Sequence, residues 1–156
     1  MLQTGESVFR GTEAARDQLV RFAKEQSYRA WATDTVRWSD TDKLGHVNHL
    51  AVGAYMETGR ARFMAGIEVA DQIFVTASLT INFLRELHWP DPVRIGTAVL
   101  KVGTTSFELV QGLFSGQLCI ATSTATLVLI DGASRKPVPI PQLQREQFAS
   151  FALQAS

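Results

Sequence analysis

Only one stretch of this chain is long and uniform enough to make a substantial helix, and nearly everything that follows it reads as strand. Asn48 is a favoured N-cap residue type, and helix-compatible residues continue from it, so a helix is predicted over 49–64. Past residue 70 the period changes to two. Ile73, Val75, Ala77, Leu79, Ile81 and Phe83 alternate with Thr76, Ser78, Thr80 and Asn82, which predicts a strand with one face buried. His88-Trp89-Pro90-Asp91-Pro92 turns the chain, since two prolines exclude a central strand. A strand over 93–102 follows, closed by Gly103-Thr104-Thr105, and strands over 106–114 and 118–130 pair through Ser115-Gly116. With one further strand over 30–38 ahead of the helix, the inventory specifies an α+β fold, an antiparallel sheet of about five strands curled around one long helix. Such a sheet leaves edge strands, so pairing of two copies is expected.

Two shorter helices flank this unit. Over 12–25, Ala15, Leu19 and Phe22 recur at helical spacing behind Thr12 as N-cap, and the helix is expected to pack outside the main core. Pro137, Pro139 and Pro141 lead into a helix over 142–154, with Leu143, Gln147 and Phe151 on one side. The domain organisation is therefore an extension over 1–29, the sheet-and-helix domain over 30–141, and a helix and tail over 142–156. Fifteen basic residues balance fifteen acidic ones, so no broad nucleic-acid surface is expected, and one helix before residue 30 is too few for a helix-turn-helix reader. Cys119, the single cysteine, lies in the apolar run Leu118-Cys119-Ile120-Ala121 and reads as a buried, inert thiol. The chain shows neither a basic-then-apolar leader at its start nor a run long enough to span a bilayer; a cytoplasmic location without a membrane partner is expected.

Chemistry-bearing residues concentrate at the start of the long helix. Asp40, Asp42, Gly45, His46, Asn48 and His49 fall within ten positions, directly before the apolar run 50–56. Lys43-Leu44-Gly45 breaks the extended stretch, which sets Asp42 beside a helix N-terminus. Unpaired amides and the positive end of the helix dipole stabilise a developing anion there, and a carboxylate facing such a site is a hydrolytic arrangement. Asp42 also has a plainer reading as a turn or capping residue. Asp40, on the same side if the segment is extended, is expected to bond loop amides, and repulsion between the two carboxylates would raise the proton affinity of one. His46 and His49, three apart, would offer a metal pair with Asp40 or Asp42. That spacing differs from the His-Glu-x-x-His arrangement, so neither a metal nor any other cofactor is expected. Glu57, two turns into the helix, is expected to pair with Arg60 on an exposed face. The helix is apolar nearly all round, as for one wrapped by other structure, with Leu50, Ala51, Ala54, Thr58 and Ala61 marking one face. Gly53 and Gly59 would then mark close approach of a strand or a ligand. No Gly-x-Ser-x-Gly elbow or phosphate-binding glycine loop is present.

The run Arg37-Trp38-Ser39-Asp40-Thr41-Asp42-Lys43-Leu44-Gly45-His46-Val47-Asn48, followed by Tyr55-Met56-Glu57 and Arg60, resembles the signature of the hotdog-fold acyl-CoA thioesterases of the 4-hydroxybenzoyl-CoA thioesterase type, over roughly residues 30–141. Many relatives of that type carry a second Asn where this chain has His49, and a Tyr where it has Val52. The resemblance implies a hotdog fold and hydrolysis of an acyl-CoA thioester to free acid and coenzyme A. Asp42 stands at the position of the catalytic carboxylate, with Asn48 and His49 completing the catalytic group at the helix start. Gly45, His46, Val47, Tyr55 and Glu57 are expected to bind substrate, Glu57 being also a reserve catalyst. Active sites would lie at the interface of a homodimer, or of a homotetramer built as a dimer of dimers. Arg60, Arg62, Arg85, Lys101, Arg135 and Lys136 are candidates for holding coenzyme A phosphates. The same fold also serves hydratases and dehydratases of 3-hydroxyacyl thioesters, which rely on His with Asp or Glu, and a non-catalytic acyl-CoA sensor is a third possibility.

Overall fold

The computed structural model describes residues 12–154. Five antiparallel strands form one curved sheet in the order β1-β3-β4-β5-β2, where β1 is Ala30–Thr35, β2 Gln72–Phe83, β3 Pro92–Val102, β4 Ser106–Ser115 and β5 Leu118–Asp131. The long helix, α2 (His49–Met64), packs across β1, β3 and β4. Shorter helices α1 (Glu13–Phe22) and α3 (Gln142–Ser150) flank the sheet. The α+β hotdog architecture expected from the sequence, an antiparallel sheet curved about one long helix, is the one formed.

Alternation of side chains along β3 and β4 sorts the core onto two faces. Val93, Ile95 and Leu113 pack with Val52, Tyr55 and Met56 beneath the first half of α2. Val99, Phe107, Leu109 and Leu129 continue that layer toward α3, whose Phe148 stacks on Phe107 at 4.1 Å between ring centroids. Val110, Phe114, Ala98 and Cys119 face the other way and meet Phe22 of α1, Tyr28 and Leu153. Gly96 and Gly112 make room on that face, because a Cβ at either would come within 2.6 Å of the Tyr28 ring or 2.5 Å of the Phe114 ring, respectively. Burial pushes the Cys119 thiol up to about 12, which leaves it protonated and inert as expected. Segments far apart in sequence join on this outer face. Arg21 donates to the Leu153 and Gln154 carbonyls at 3.3 and 3.4 Å, and the Gln154 amide donates to Ser27 O at 3.1 Å.

Several local expectations are corrected. The helix over 12–25 stops at Phe22, which is buried in the outer-face cluster instead of lying outside the core. The strand over 30–38 stops at Thr35, because Trp38–Asp40 turns into a short 3-10 helix. In α3 the packed residues are Gln144 and Phe148; Leu143 is exposed. The strand with the cleanest alternation, β2, is the sheet edge and is largely exposed on both faces over 76–80, because α2 covers the other end of the sheet. Likewise α2 is buried on one side only, through Val52, Tyr55, Met56, Gly59 and Arg60, while Leu50, Ala54 and Ala61 look outward. The two helix glycines separate. At Gly59 an added Cβ would lie 2.4 Å from Ile95 Cγ2 and 2.7 Å from Gln111 Nε2, whereas Gly53 meets only Ile81 Cδ1 at 3.8 Å.

Candidate active site

The start of α2 is held by Asn48, and its bonds determine what remains available there. Asn48 Oδ1 accepts from the Ala51 amide at 2.9 Å, its Nδ2 and its own amide both donate to Asp40 O at 2.8 Å, and its carbonyl accepts from Val52 N at 3.2 Å. The amides of His49 and Leu50, in the first turn, have no hydrogen-bond partner among the described residues. Two donors at the positive end of a sixteen-residue helix, both on exposed residues, are therefore left without a partner among the described residues.

Asp42 lies on a tight hairpin tied to that helix start. Its amide donates to His46 O at 2.8 Å, Thr41 bridges Val47, and Gly45 takes φ +80, a left-handed conformation that favours glycine. One carboxylate oxygen, Oδ1, accepts from the amides of Leu44 at 2.8 Å and His46 at 3.3 Å. The turn reading of Asp42 thus accounts for one oxygen, and among the described residues the other carries no hydrogen bond. The side chain is exposed.

Asp40 has a different environment. Its Oδ2 accepts from the Arg37 amide at 2.8 Å and from the Tyr55 hydroxyl at 2.5 Å. Burial disfavours its charge, but those two bonds and the Arg37 guanidinium outweigh it and hold the carboxyl below the usual carboxylate range. The expected repulsion with Asp42 is therefore not what governs Asp40; its hydrogen bonds are. Burial, together with the bond to Asp40, moves the Tyr55 hydroxyl the other way, above its ordinary range. Tyr55, a residue expected to touch substrate, is 1% exposed and its hydroxyl is engaged by Asp40. Val47 is buried too, with its amide donating to Leu87 O at 2.8 Å. Both support the loop from beneath.

Glu57 is exposed on the outward side of α2, and no Glu57–Arg60 ion pair forms among the described residues. Arg60 turns inward instead, to 9% exposure, and donates to Gln111 Oε1 at 3.1 Å. Gln111 also accepts from Ser123 Oγ and donates through Nε2 to Met56 O and Thr97 Oγ1, so a closed polar network pins the middle of the helix to the sheet. Burial pulls the Arg60 pKa down, against the charge of Glu57. A signal for this network was present in the sequence: Gln111 occupies the inward register of β4, between Leu109 and Leu113.

His46 and His49 do not form a pair. His49 is exposed at the first residue of α2, while the His46 ring meets His88 edge-on at 5.0 Å, across an antiparallel bridge between the two residues. Glu86 lies beside both rings, its Oε2 3.4 Å from His46 Nε2 and 3.8 Å from His88 Nε2. Sequence reasoning missed His88 and Glu86, which lie some forty positions on and approach only through the fold. Around the helix start, Trp38, Leu44 and Leu50 are 71–77% exposed, and Trp38 meets Trp89 edge-on at 5.3 Å.

The profile of the Thioesterase-like superfamily matches residues 36–148, most of the chain and all of the loop and helix just described. The chain belongs to the Thioesterase-like superfamily. Membership supports thioester hydrolysis as the general activity. Among solved structures, a protein of Pseudomonas aeruginosa strain PAO1 is 25% identical with a TM-score of 0.75, over 84% of this chain and 96% of that one. A thioesterase of Thermus thermophilus, complexed with coenzyme A and zinc, is 26% identical with a TM-score of 0.73, over 81% and 96%. A predicted thioesterase from Bacillus stearothermophilus, 20% identical with a TM-score of 0.74 over 81% and 98%, shares the fold. No curated protein matches the sequence significantly. Among the described residues, no helix of this superfamily member is long and apolar enough to cross a membrane.

Proposed function

We propose that the protein is an acyl-CoA thioesterase of the 4-hydroxybenzoyl-CoA thioesterase type, with Asp42 as nucleophile or general base. The reading rests on one observation above all: Asn48 engages the third amide of α2 and leaves those of His49 and Leu50 without partners, beside a hairpin whose Asp42 keeps one carboxylate oxygen unbonded. A thioester carbonyl oxygen received by those amides becomes the oxyanion when its carbon is attacked. Donors already oriented at the helix start stabilise that charge without reorganising. Asp42 would then either attack the carbon or take a proton from the water that does. The coenzyme A bound to the Thermus thermophilus thioesterase supports a coenzyme A thioester as the substrate class.

The exposure of Asp42 and of its apolar surroundings fits a site completed by a second copy. Ile73, Leu79 and Phe83 on the edge strand and Leu50 at the helix start are all large apolar residues facing solvent in the single chain. A homodimer, or a tetramer of two dimers, would cover them and enclose the acyl group. Free-thiol release measured over short, long and aromatic acyl-CoAs tests the activity, and the same assay on Asp42→Asn and Asp42→Ala tests the assignment. Thiol release by the wild type and a loss of about 10²–10⁴-fold in both variants are expected. Near-wild-type turnover in both would remove Asp42 from the mechanism.

A further inference from the structure

We infer that His46, Glu86 and His88 form a binding site for a divalent metal ion of the zinc class, independent of the thioester reading above. The three side chains come from two segments brought together by the fold. His46 ends the Asp42 hairpin, and Glu86 and His88 lie on the crossing from β2 to β3. Their positions are set by the backbone: residues 46 and 88 bridge antiparallel, and the Val47 amide donates to Leu87 O at 2.8 Å. One donor atom from each of the three side chains lies within 4.8 Å of the other two.

The contacts are poor as hydrogen bonds and suitable as a metal cradle. Glu86 Oε2 stands 3.4 and 3.8 Å from the two Nε2 atoms, at or beyond the long end for hydrogen bonding. A zinc ion at about 2.0–2.2 Å from each donor holds its ligands a little over 3 Å apart, so modest contraction of three partly exposed side chains closes the set. His88 Nδ1 lies 3.3 Å from Gly45 O, in position to donate to it. With the proton on Nδ1 donated to that carbonyl, the Nε2 lone pair is left on the side of Glu86, as in metal sites where a histidine's second nitrogen bonds a backbone carbonyl. Glu86 pairs with no Lys or Arg among the described residues, so no fixed cation neutralises it. Two imidazoles and one carboxylate leave a fourth position open to water or to an anionic ligand atom.

An ion at this site would staple the Asp42 hairpin to the segment after β2. The His46 amide donates to Asp42 Oδ1 at 3.3 Å, so the staple would reach the carboxylate's own turn.

The test is zinc titration of the tag-free, chelator-treated full chain by calorimetry, with Co²⁺ absorption as a second probe. The chain has three histidines, so one control covers the remaining ring. One saturable ion per chain is expected, with Co²⁺ giving visible bands of low coordination number. Glu86→Gln and His88→Ala should each weaken binding by at least about tenfold at unchanged circular dichroism, and His49→Ala should leave it intact. Glu86 is exposed, so the Glu86→Gln result stands even where His88→Ala impairs folding. Absence of saturable binding, or wild-type affinity in Glu86→Gln, or loss of binding in His49→Ala, would overturn the site.

Discussion

Two polar clusters lie along α2 and differ in one respect. Midway along the helix, Arg60, Gln111, Thr97 and Ser123 are buried, and every side-chain hydrogen-bonding position of Gln111 is filled or directed at a named partner. At the helix start, Asp40 is held through Oδ2 by the Arg37 amide and the Tyr55 hydroxyl, whereas Asp42 is exposed and bonded through Oδ1 to its own turn alone, and the first two amides retain free protons among the described residues. A satisfied network stabilises one structure; unsatisfied donors beside an unsatisfied acceptor are poised for a ligand. On the function proposed above, the contrast separates framework from chemistry on a single helix.

Removing the carboxylate should give the largest effect. Asp42→Ala is expected to lose about 10²–10⁴ in thioester turnover, equivalent to roughly 3–5 kcal/mol in the barrier, while thermal unfolding moves little. A large fall in melting temperature with turnover preserved would reverse the proposed division of labour. In the closed cluster the expectation is the opposite. Gln111→Leu leaves the Arg60 guanidinium and Met56 O buried without their partner, and unfolding in denaturant should show a loss of about 3 kcal/mol.

The helix glycines sharpen the same contrast. Gly59→Ala drives a methyl into Ile95 and Gln111, and overpacking of up to about 3 kcal/mol exceeds the gain of about 1 kcal/mol in helix propensity, for a net loss near 2 kcal/mol. Gly53→Ala meets only ordinary contact and should stabilise by about 0.5–1 kcal/mol. Equal melting temperatures for the two variants would mean that the sheet does not approach the helix as described.

One modest expected effect has a pH signature. Tyr55→Phe removes the hydroxyl that donates to Asp40, at a loss of about 1.5 kcal/mol near neutral pH. The folded-state pKa of Asp40 lies below its unfolded value, so the unfolded chain binds the extra proton. The stabilisation is full above the unfolded carboxylate range near pH 4 and disappears as pH falls through the lower, folded value. Urea midpoints for wild type and Tyr55→Phe should accordingly converge on acidification. A gap that widens toward low pH would contradict the assigned bond.

What could be read in the sequence was local. The bounds of α2 follow from Asn48 and the unbroken run behind it, and the alternation over 73–83 identified β2 as a strand. What covers those elements depends on neighbours far away in sequence, and there the pattern misled. An alternating strand reads the same at a sheet edge as at its centre, and a helix apolar all round reads as wrapped when a single chain covers only one of its sides. Arg60 looked like a surface partner for Glu57 because i,i+3 spacing says nothing about the Gln111 that arrives from β4. At the helix start, the turn at Asp42 and the cap at Asn48 were legible because both are properties of adjacent residues. The supporting role of Tyr55 was not, because its partner Asp40 lies fifteen positions away across a loop.

The bonds joining Arg21 and Ser27 to Leu153 and Gln154 bear on the order of assembly in the cell. Translation proceeds from the amino end, and 132 residues separate Arg21 from Leu153. At about 5–20 residues per second, the first helix waits roughly 7–26 s for its latch to be made. Its apolar side, with Phe22, is without that cover until Leu153 has been made, an interval in which a nascent-chain chaperone would find it accessible.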